Sequence, residues 1–425
     1  MLCFSGKDRD MVGYVIKNEL SVDEKIELMR EDACFDVSDN DEFCVPDLDA
    51  IRSEFKSGGS LPKVPKVMMS NECTFNCAYC GCRAGNERRK RYTNAPGELA
   101  KLSVDRAIEN KRGIFITSAI YRNADYTTEL IVETLKCIRD EHGYKGYIHA
   151  KIMPGTDAEL IRQAGFYANR LSVNIEVAKS EGYDKIAKNK TKENILTPMH
   201  RISSLIKATQ GDKGRFAPHF ATSQTTQLMA GSTDESDYEI LRLSQAMYSK
   251  YDLKRVYYTP YKYEIPAVGY EDLDFASTPS WRMKRLYQAD RLMQLYGFTP
   301  EEITPGDAAD LVSDLDPKAA WALRNIDIYP IEVNKADFEQ LLRIPGIGMI
   351  YAARIVKARK YCKITPDVLK ALGVALKRSK HFMTCDGKFI GEKCETVEAY
   401  RNLLVSPLSD SDDVLSFAGS VEDCC

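Results

Sequence analysis

The chain has 425 residues, of which 44% are hydrophobic and 28% charged, and its formal net charge is −3. This length favours two or three domains around a substantial core, and the absence of any run of about 20 apolar residues excludes a membrane span. Thirteen cysteines, behind an N-terminus without a long apolar core, favour a reducing, cytoplasmic location over a disulfide scaffold.

Five regions are predicted along the chain. Residues 1–60 form a helical cap, with one helix from about Ser21 to Cys34. Residues 61–275 form an α/β domain, residues 276–330 a helical connector and residues 331–405 an all-α module. The remaining residues, 406–425, form an acidic tail with few residues able to pack, and we expect this tail to be disordered.

Strands and helices alternate within residues 61–275. After the opening strand KVMMS, further strands are predicted at residues 113–120, 146–155, 170–177, 215–224 and 255–262, and helices at residues 127–142, 157–167, 192–208 and 235–251. Such alternation implies crossover connections and a parallel sheet. The predicted class is therefore α/β, and the six strand–helix units resemble a partial (β/α)6 TIM-like barrel, in which reacting groups lie at the C-terminal ends of the strands.

Three cysteines follow the first strand in the string CTFNCAYC: Cys73, Cys77 and Cys80. Their C-x3-C-x2-C spacing is too tight and too asymmetric for a typical zinc ribbon. Three thiolates from one loop suit one face of a 4Fe–4S cluster, whose full complement is four cysteines, so one iron would stay open. Scattered thiols and an electron-transfer cluster are the alternatives, and Cys82 is a further candidate ligand.

An open iron beside an aromatic residue resembles the signature of the radical S-adenosylmethionine (SAM) enzymes. In that family the open iron chelates SAM, and electron transfer cleaves SAM to a 5′-deoxyadenosyl radical. The resemblance implies a 4Fe–4S cluster and SAM as cofactors. It also implies that Tyr79, between the second and third cysteines, lies beside the cofactor.

Polar residues near the strand ends are candidate cofactor contacts. Thr117 and Ser118 end the second strand, where the family carries a glycine-rich turn that holds the methionine amino group. Asn174 and Glu176 are two residues apart on the fourth strand and are predicted to share a face. There they would bind ribose or substrate, or form a salt bridge at the rim. Gln227 lies in a polar run that ends the fifth strand.

The C-terminal module contains the string FEQLLRIPGIGMIYAARIVKARK, residues 338–360. Gly346 and Gly348 permit a tight turn before a second helix, and the N–H groups and dipole of a helix start favour phosphate. A weaker copy of this pattern surrounds Gly373. The string resembles the helix-hairpin-helix motif of DNA repair proteins, which holds nucleic-acid backbone. A protein-docking or dimerisation module is the alternative.

Basic residues are concentrated in the same module. Residues 341–390 contain eleven Lys or Arg and two Asp, a local balance of +9. Such a patch is typical of phosphate binding. Besides the three glycines, the residues expected to contact nucleic acid are Arg354, Lys357, Lys360 and Lys377.

The cysteine loop, barrel and hairpins together resemble the family described as DNA modification or repair radical SAM proteins, over about residues 21–405. The strings that carry the resemblance include CTFNCAYC, TTQLMAGSTDESD and VNKADFEQLLRIPGIG. A basic run after Cys82, ERRKRY, departs from the family pattern.

This resemblance implies radical chemistry on a base or sugar of DNA. It also implies an electron donor such as flavodoxin or ferredoxin, and a uracil-DNA-glycosylase-like partner protein. Two alternatives remain open at this point. One is RNA as substrate, and the other is a DNA-binding iron–sulfur protein whose cluster is structural or redox-sensing.

Overall fold

The computed structural model describes residues 20, 24–26, 28–29, 66–110, 113–210, 220–261, 270, 278–306 and 309–405. Almost all of the predicted cap and the whole acidic tail lie outside these residues. Residues 24–26 and 28–29 are helical, within the helix predicted near the N-terminus. In the described part of the chain, no helix has the length and apolar character needed to cross a membrane. The predicted region boundaries stay predictions.

A six-stranded parallel sheet organises the first half of the described chain. Each strand pairs in parallel with the next one in sequence. Its strands are β1 (Lys66–Met68), β2 (Ile114–Thr117), β3 (Ile148–Lys151), β4 (Arg170–Ser172), β5 (Ser223–Ala230) and β6 (Leu253–Pro260). No pairing joins β1 to β6 among the described residues, as expected of a partial barrel. The predicted α/β class with six parallel strands is confirmed.

Helices make the crossovers between these strands. They are α1 (Pro96–Asn110), α2 (Ala124–Lys136), α3 (Ala158–Tyr167), α4 (Glu181–Ile186), α5 (Lys192–Thr209) and α6 (Asp237–Tyr251). Their starts follow local capping chemistry: the Asp157 side chain accepts from the N–H of Glu159, and capping boxes begin α5 and α6. Helix α1, between the cysteine loop and β2, was missed in the sequence.

Two strand predictions are wrong in extent. β4 ends at Ser172 rather than at residue 177, because the Thr226 hydroxyl replaces the backbone pairing beyond it: this hydroxyl accepts from the N–H of Ile175 at 2.9 Å and donates to the carbonyl of Val173 at 2.7 Å. Glu176 then adopts a positive φ of 64°. Glu176 instead bridges to β5: its N–H donates to the carbonyl of Gln227 at 2.9 Å, and the N–H of Met229 donates to its carbonyl at 2.8 Å. β5 begins at Ser223, so Gln227 lies within the strand and not after it.

The second half of the described chain is mostly helical. Helices α7 (Ser280–Tyr296), α8 (Pro300–Ile303) and α9 (Pro317–Arg324) connect the sheet to the C-terminal helices, and α14 (Val397–Leu404) closes the described chain. The prediction of an all-α module is wrong in one respect. Three short strands, β7 (Ile331–Glu332), β8 (Met383–Cys385) and β9 (Lys388–Phe389), form a small mixed sheet.

Two helix–turn–helix units lie between β7 and β8. The first joins α10 (Phe338–Arg343) to α11 (Met349–Ala358), and the second joins α12 (Pro366–Ala371) to α13 (Leu376–Ser379). Gly346 and Gly373 occupy the two turns with φ of 87° and 84°, a backbone conformation that favours glycine.

The two units pack reciprocally. A Cβ on Gly346 would lie 3.5 Å from the backbone N of Ser379 in α13, and a Cβ on Gly373 would lie 3.4 Å from Nη1 of Arg354 in α11. Each turn therefore rests against the second helix of the other unit.

Candidate functional site

The cysteine loop leaves the C-terminal end of β1 and runs beside the end of β2. The N–H and the hydroxyl of Thr74 both donate to the carbonyl of Ile120, at 2.9 and 3.1 Å. The N–H of Ala119 donates to the carbonyl of Ser70 at 2.8 Å. The three cysteines are thus held at the edge of the sheet where parallel barrels place their reacting groups.

Arg91 fixes the shape of this loop from inside. Its guanidinium donates to the carbonyls of Asn71 (2.6 Å), Cys82 (2.8 Å), Arg83 (2.6 Å) and Asn86 (3.0 Å). Four carbonyls that point toward one cation would otherwise repel one another. The basic run after Cys82 therefore contains at least one residue with a structural role.

A second segment covers the loop from the side of β4. The N–H of Ala78 donates to the carbonyl of Ile186 at 2.8 Å, and the N–H of Asn76 donates to the side chain of Asn189 at 3.0 Å. Residues 186–190 between α4 and α5 therefore lie against the cysteines. This contact between distant parts of the chain brings Lys190 into the site.

The three cysteines form no disulfide in the described structure and lie close enough to interact as charges. Burial raises the pKa of Cys77 to about 12, and burial together with the charge of Cys80 raises the pKa of Cys73. The pKa of Cys80 is lowered to about 7, chiefly because the Cys82 side chain hydrogen-bonds to its sulfur. The structure thus places Cys82, buried to 1% exposure, beside a predicted ligand.

The donor set suits a cluster better than a single ion. Among the described residues, no three His, Cys, Asp or Glu side chains converge closely enough to hold one metal ion. The ligands of a 4Fe–4S cluster bind different irons, so their sulfurs stand farther apart than the ligands of one ion. Three neighbouring thiols on one loop fit that requirement.

Lys190 is a residue of this site that the sequence did not reveal. Its ammonium donates to Oε1 of Glu176 at 2.7 Å and to the hydroxyl of Tyr79 at 3.0 Å. The side chains of Lys190 and Glu176 are only 11% and 5% exposed. Burial alone would lower the pKa of Lys190, but Glu176 and the thiolate of Cys77 raise it above its ordinary value. The chain has many lysines, and no local pattern marks this one.

The other predicted cofactor contacts surround the same edge of the sheet. Thr117 and Ser118 are buried at the end of β2, and the Ser118 hydroxyl donates to the carbonyl of Ala119 at 2.6 Å. Asn174 is buried between β4 and Glu176, and Gln227 is buried on β5. The prediction that Asn174 and Glu176 share a strand face is wrong, because the regular strand has ended before either residue.

The interior face of the sheet can be assigned from β6. The Tyr258 hydroxyl donates to Ser244 at 2.8 Å and to Asp290 at 3.1 Å, so this side chain faces α6 and α7. Alternation then points Tyr257 to the opposite, interior face. There Nη1 of Arg170 on β4 lies 3.4 Å from the Tyr257 hydroxyl.

This interior is polar and contains the guanidinium of Arg170, which also donates to the Ser223 hydroxyl at 3.1 Å. Nε2 of His149 on β3 hydrogen-bonds to the Ser172 hydroxyl at 2.8 Å, on the face that also carries Arg170. The buried hydroxyl oxygens of Thr225 and Thr259 have no hydrogen-bond partner in the described part of the chain. Since buried polar groups are nearly always satisfied, these hydroxyls suit a polar ligand.

The basic residues of the C-terminal units are less available than their number suggests. Several form ion pairs, namely Arg343 with Glu302 (2.8 Å), Lys363 with Asp386 (2.7 Å), Lys370 with Asp367 (4.0 Å), Arg378 with Asp316 (2.9 Å) and Lys380 with Glu392 (3.4 Å). Arg354 donates to the carbonyl of Leu372 at 2.8 Å. The local balance of +9 therefore overstates the positive charge open to a ligand.

Three of the predicted contacts keep their charge exposed. Lys357, Lys360 and Lys377 are exposed and have no ion-pair partner among the described residues. Gly348 is the N-cap of α11, and its lack of a side chain leaves the first-turn N–H groups uncapped. Gly346, in the turn before it, is exposed, whereas Gly348 is half-buried and a Cβ there would lie 3.0 Å from the Tyr296 hydroxyl.

Comparisons with known proteins bear on the sheet and the cysteine loop. Residues 67–211 match the family model of the Radical SAM superfamily, a stretch that runs from β1 through α5. A search of curated proteins finds no match.

Solved structures show only distant similarity. The FeFe-hydrogenase maturase HydG from Carboxydothermus hydrogenoformans is 16% identical, over 65% of this chain and 60% of that chain, with a TM-score of 0.41. Coproporphyrinogen III oxidase (HemN) from Escherichia coli, a radical SAM enzyme, is 12% identical over 57% and 55%, with a TM-score of 0.30.

The radical SAM methyltransferase TsrM from Kitasatospora setae, solved with cobalamin and a [4Fe-4S] cluster, is 12% identical over 47% and 36%, with a TM-score of 0.33. The chain thus spans less than two thirds of each of these proteins, and the similarity carries no information on substrate. The family match carries the comparison: residues 67–211, which contain Cys73, Cys77 and Cys80, match the Radical SAM superfamily.

Proposed function

We propose that this protein is a radical SAM enzyme that uses a 4Fe–4S cluster and S-adenosylmethionine and that modifies or repairs DNA, with Cys73, Cys77 and Cys80 as the three cluster ligands. The observation that carries the ligand assignment is the position of the three thiols. They lie together at the C-terminal edge of the parallel sheet, on a loop ordered from both sides. When bound, the cluster supplies the electron that cleaves SAM to a 5′-deoxyadenosyl radical.

The residues around this edge are proposed to orient SAM. Tyr79 and Glu176 are joined through Lys190, and Gln227 lies on β5 where Glu176 bridges to that strand. Thr117, Ser118 and Asn174 are the further proposed SAM contacts. Burial of these side chains supports a cavity from which water is excluded, and such exclusion prevents side reactions of a radical.

DNA is proposed to bind the two helix–turn–helix units through its phosphates, as helix-hairpin-helix motifs do. The reciprocal packing of the turns at Gly346 and Gly373 supports this assignment. The exposed Lys357, Lys360 and Lys377 support it as well, and Gly348 and Arg354 are the further proposed contacts of the first unit.

Eversion of one nucleotide would let a base reach the barrel mouth. The electron donor is proposed to be a flavodoxin or ferredoxin, and a uracil-DNA-glycosylase-like protein is the proposed partner.

The ligand assignment is tested by anaerobic reconstitution with iron and sulfide. Wild-type protein should retain about four irons per chain and release 5′-deoxyadenosine from SAM with dithionite. Cys77→Ala should lose both the iron and the cleavage. Cys362→Ala is the matched control, because this exposed cysteine is distant in sequence and should leave both unchanged.

The substrate is tested with the same preparation. Duplex DNA, single-stranded DNA and RNA are added in turn, and nucleosides are analysed by mass spectrometry for a new mass. A product from RNA alone would move the assignment to RNA. Binding of DNA with an intact cluster but no SAM cleavage would instead indicate a sensor.

A further inference from the structure

Lys190 occupies an unusual position for a lysine. It follows α4 and immediately precedes the N-cap of α5, yet its side chain turns inward and is 11% exposed. Two hydrogen bonds fix its ammonium, one to Glu176 at 2.7 Å and one to Tyr79 at 3.0 Å. A buried ammonium is costly unless it is paired and hydrogen-bonded, so this arrangement places a fixed positive charge beside the cysteine loop.

The charge of Lys190 reaches all three predicted ligands. It interacts favourably with the thiolate forms of Cys73, Cys77 and Cys80. Lys151 acts on Cys80 as a second and weaker cation. The carboxylate of Glu176, by contrast, disfavours the thiolate form of Cys77. Lys190 is therefore a cation shared by the whole cysteine loop, and Glu176 partly compensates it.

We propose that the buried Lys190–Glu176 pair sets the reduction potential of the cluster, with Lys190 raising the potential and Glu176 lowering it. This inference rests on the proposed cluster ligands and goes beyond them. Reduction adds one electron from an external low-potential reductant such as dithionite, and no bond forms or breaks at Lys190. Because the reduced cluster carries one more negative charge, a fixed nearby cation stabilises it more than the oxidised cluster.

The expected size follows from Coulomb's law. A unit charge about 10 Å away, at an effective dielectric constant of about 20, changes the reduction equilibrium by roughly tenfold. For a one-electron couple, a tenfold change corresponds to about 59 mV. The ammonium of Lys190 would affect the reduction of the cluster electrostatically, and it makes no bond to the reacting atoms.

The test is an anaerobic potentiometric titration of the reconstituted protein without SAM, followed by the electron paramagnetic resonance signal of the reduced cluster. Lys190→Met should lower the midpoint potential by about 59 mV, and Glu176→Gln should raise it. Lys190→Arg keeps the charge and should restore most of the wild-type value. Lys185→Met is the matched control, because Lys185 is exposed on α4. The midpoint potential of the cluster in this variant should equal that of the wild type.

The readout separates this role from a contact with SAM, because SAM is absent. Unchanged potentials in Lys190→Met and Glu176→Gln, at full iron content, overturn the proposal. If Lys190→Met does not retain a cluster, Glu176→Gln decides, since it keeps the lysine: a higher potential supports the proposal and an unchanged or lower one overturns it. Failure of the ligand assignment is recognised separately, as iron retained in Cys77→Ala.

Discussion

Replacement of the three exposed lysines of the helix–turn–helix units tests DNA binding most directly. Lys357, Lys360 and Lys377 have no ion-pair partner in the described structure, so each can release a counterion when it contacts a phosphate. The combined change to alanine removes three charges from the exposed surface of the module. Because all three side chains are exposed, the free energy of unfolding should change by less than about 0.5 kcal/mol per substitution.

The magnitude follows from counterion release. For duplex DNA, log Kobs falls with log salt with a slope of about −0.9 per contacted phosphate. If all three lysines contact phosphate, the triple variant should lose about 2.7 from the magnitude of this slope. The assay is fluorescence anisotropy of a labelled duplex, titrated at five or six salt concentrations.

The control is chosen from lysines of the same module that already have a partner. Lys363 pairs with Asp386 at 2.7 Å and Lys380 pairs with Glu392 at 3.4 Å. Lys363→Ala combined with Lys380→Ala should change the slope much less than the triple variant does. An equal decrease of the slope in the two variants, or an unchanged slope in the triple variant, would refute the reasoning. Absence of salt dependence in the wild type would favour protein docking.

Two further predictions concern packing and burial. A Cβ on Gly165 would lie 2.0 Å from the Phe220 ring, so Gly165→Ala should destabilise the fold by about 1–3 kcal/mol, measured by urea unfolding. The control is Gly97→Ala on α1, where a Cβ would meet no atom within 4 Å, so this variant should be neutral or slightly stabilising. Equal shifts of the urea midpoint in the two variants would contradict the prediction. Burial raises the pKa of Asp290 to about 6, whereas an unfolded aspartate titrates near 3.9. Its contribution to stability is therefore present below about pH 4 and lost by about pH 6. The stability of the wild type relative to Asp290→Asn should fall by roughly 2 kcal/mol between pH 4 and pH 7, and a constant difference in urea unfolding at the two pH values would be the opposite result.

The strand and helix pattern was largely readable from the sequence because it depends on local periodicity. α5 and α6 lie within two residues of their predicted bounds, since Thr191 and Ser236 begin them with capping boxes. β4 was predicted too long, because the residues after Ser172 are as apolar as a strand and the positive φ of Glu176 is set by its bridge to β5. Apolar alternation carries no information on where a strand leaves its neighbour.

The C-terminal module shows the limit of counting charges along the chain. Arg343 and Arg378 counted as available in the charge balance of residues 341–390, but Glu302 and Asp316 pair with them from the helical connector. The partners in these two ion pairs are separated by 41 and 62 positions in the sequence, so the pairs depend on how the helices pack. The sequence predicted where cations are concentrated, and the fold decided which of them stay exposed.

By itself, the sequence determined the cysteine spacing, the alternation of strands and helices and the residue types at the strand ends. Each of these is local, because thiolate spacing and side-chain periodicity act over a few residues. Only the tertiary structure brought Lys190 to Tyr79 and Glu176, three residues from three different segments. A buried charge is stable only where the fold supplies its partners, so the electrostatics of the site could not be obtained without the packing.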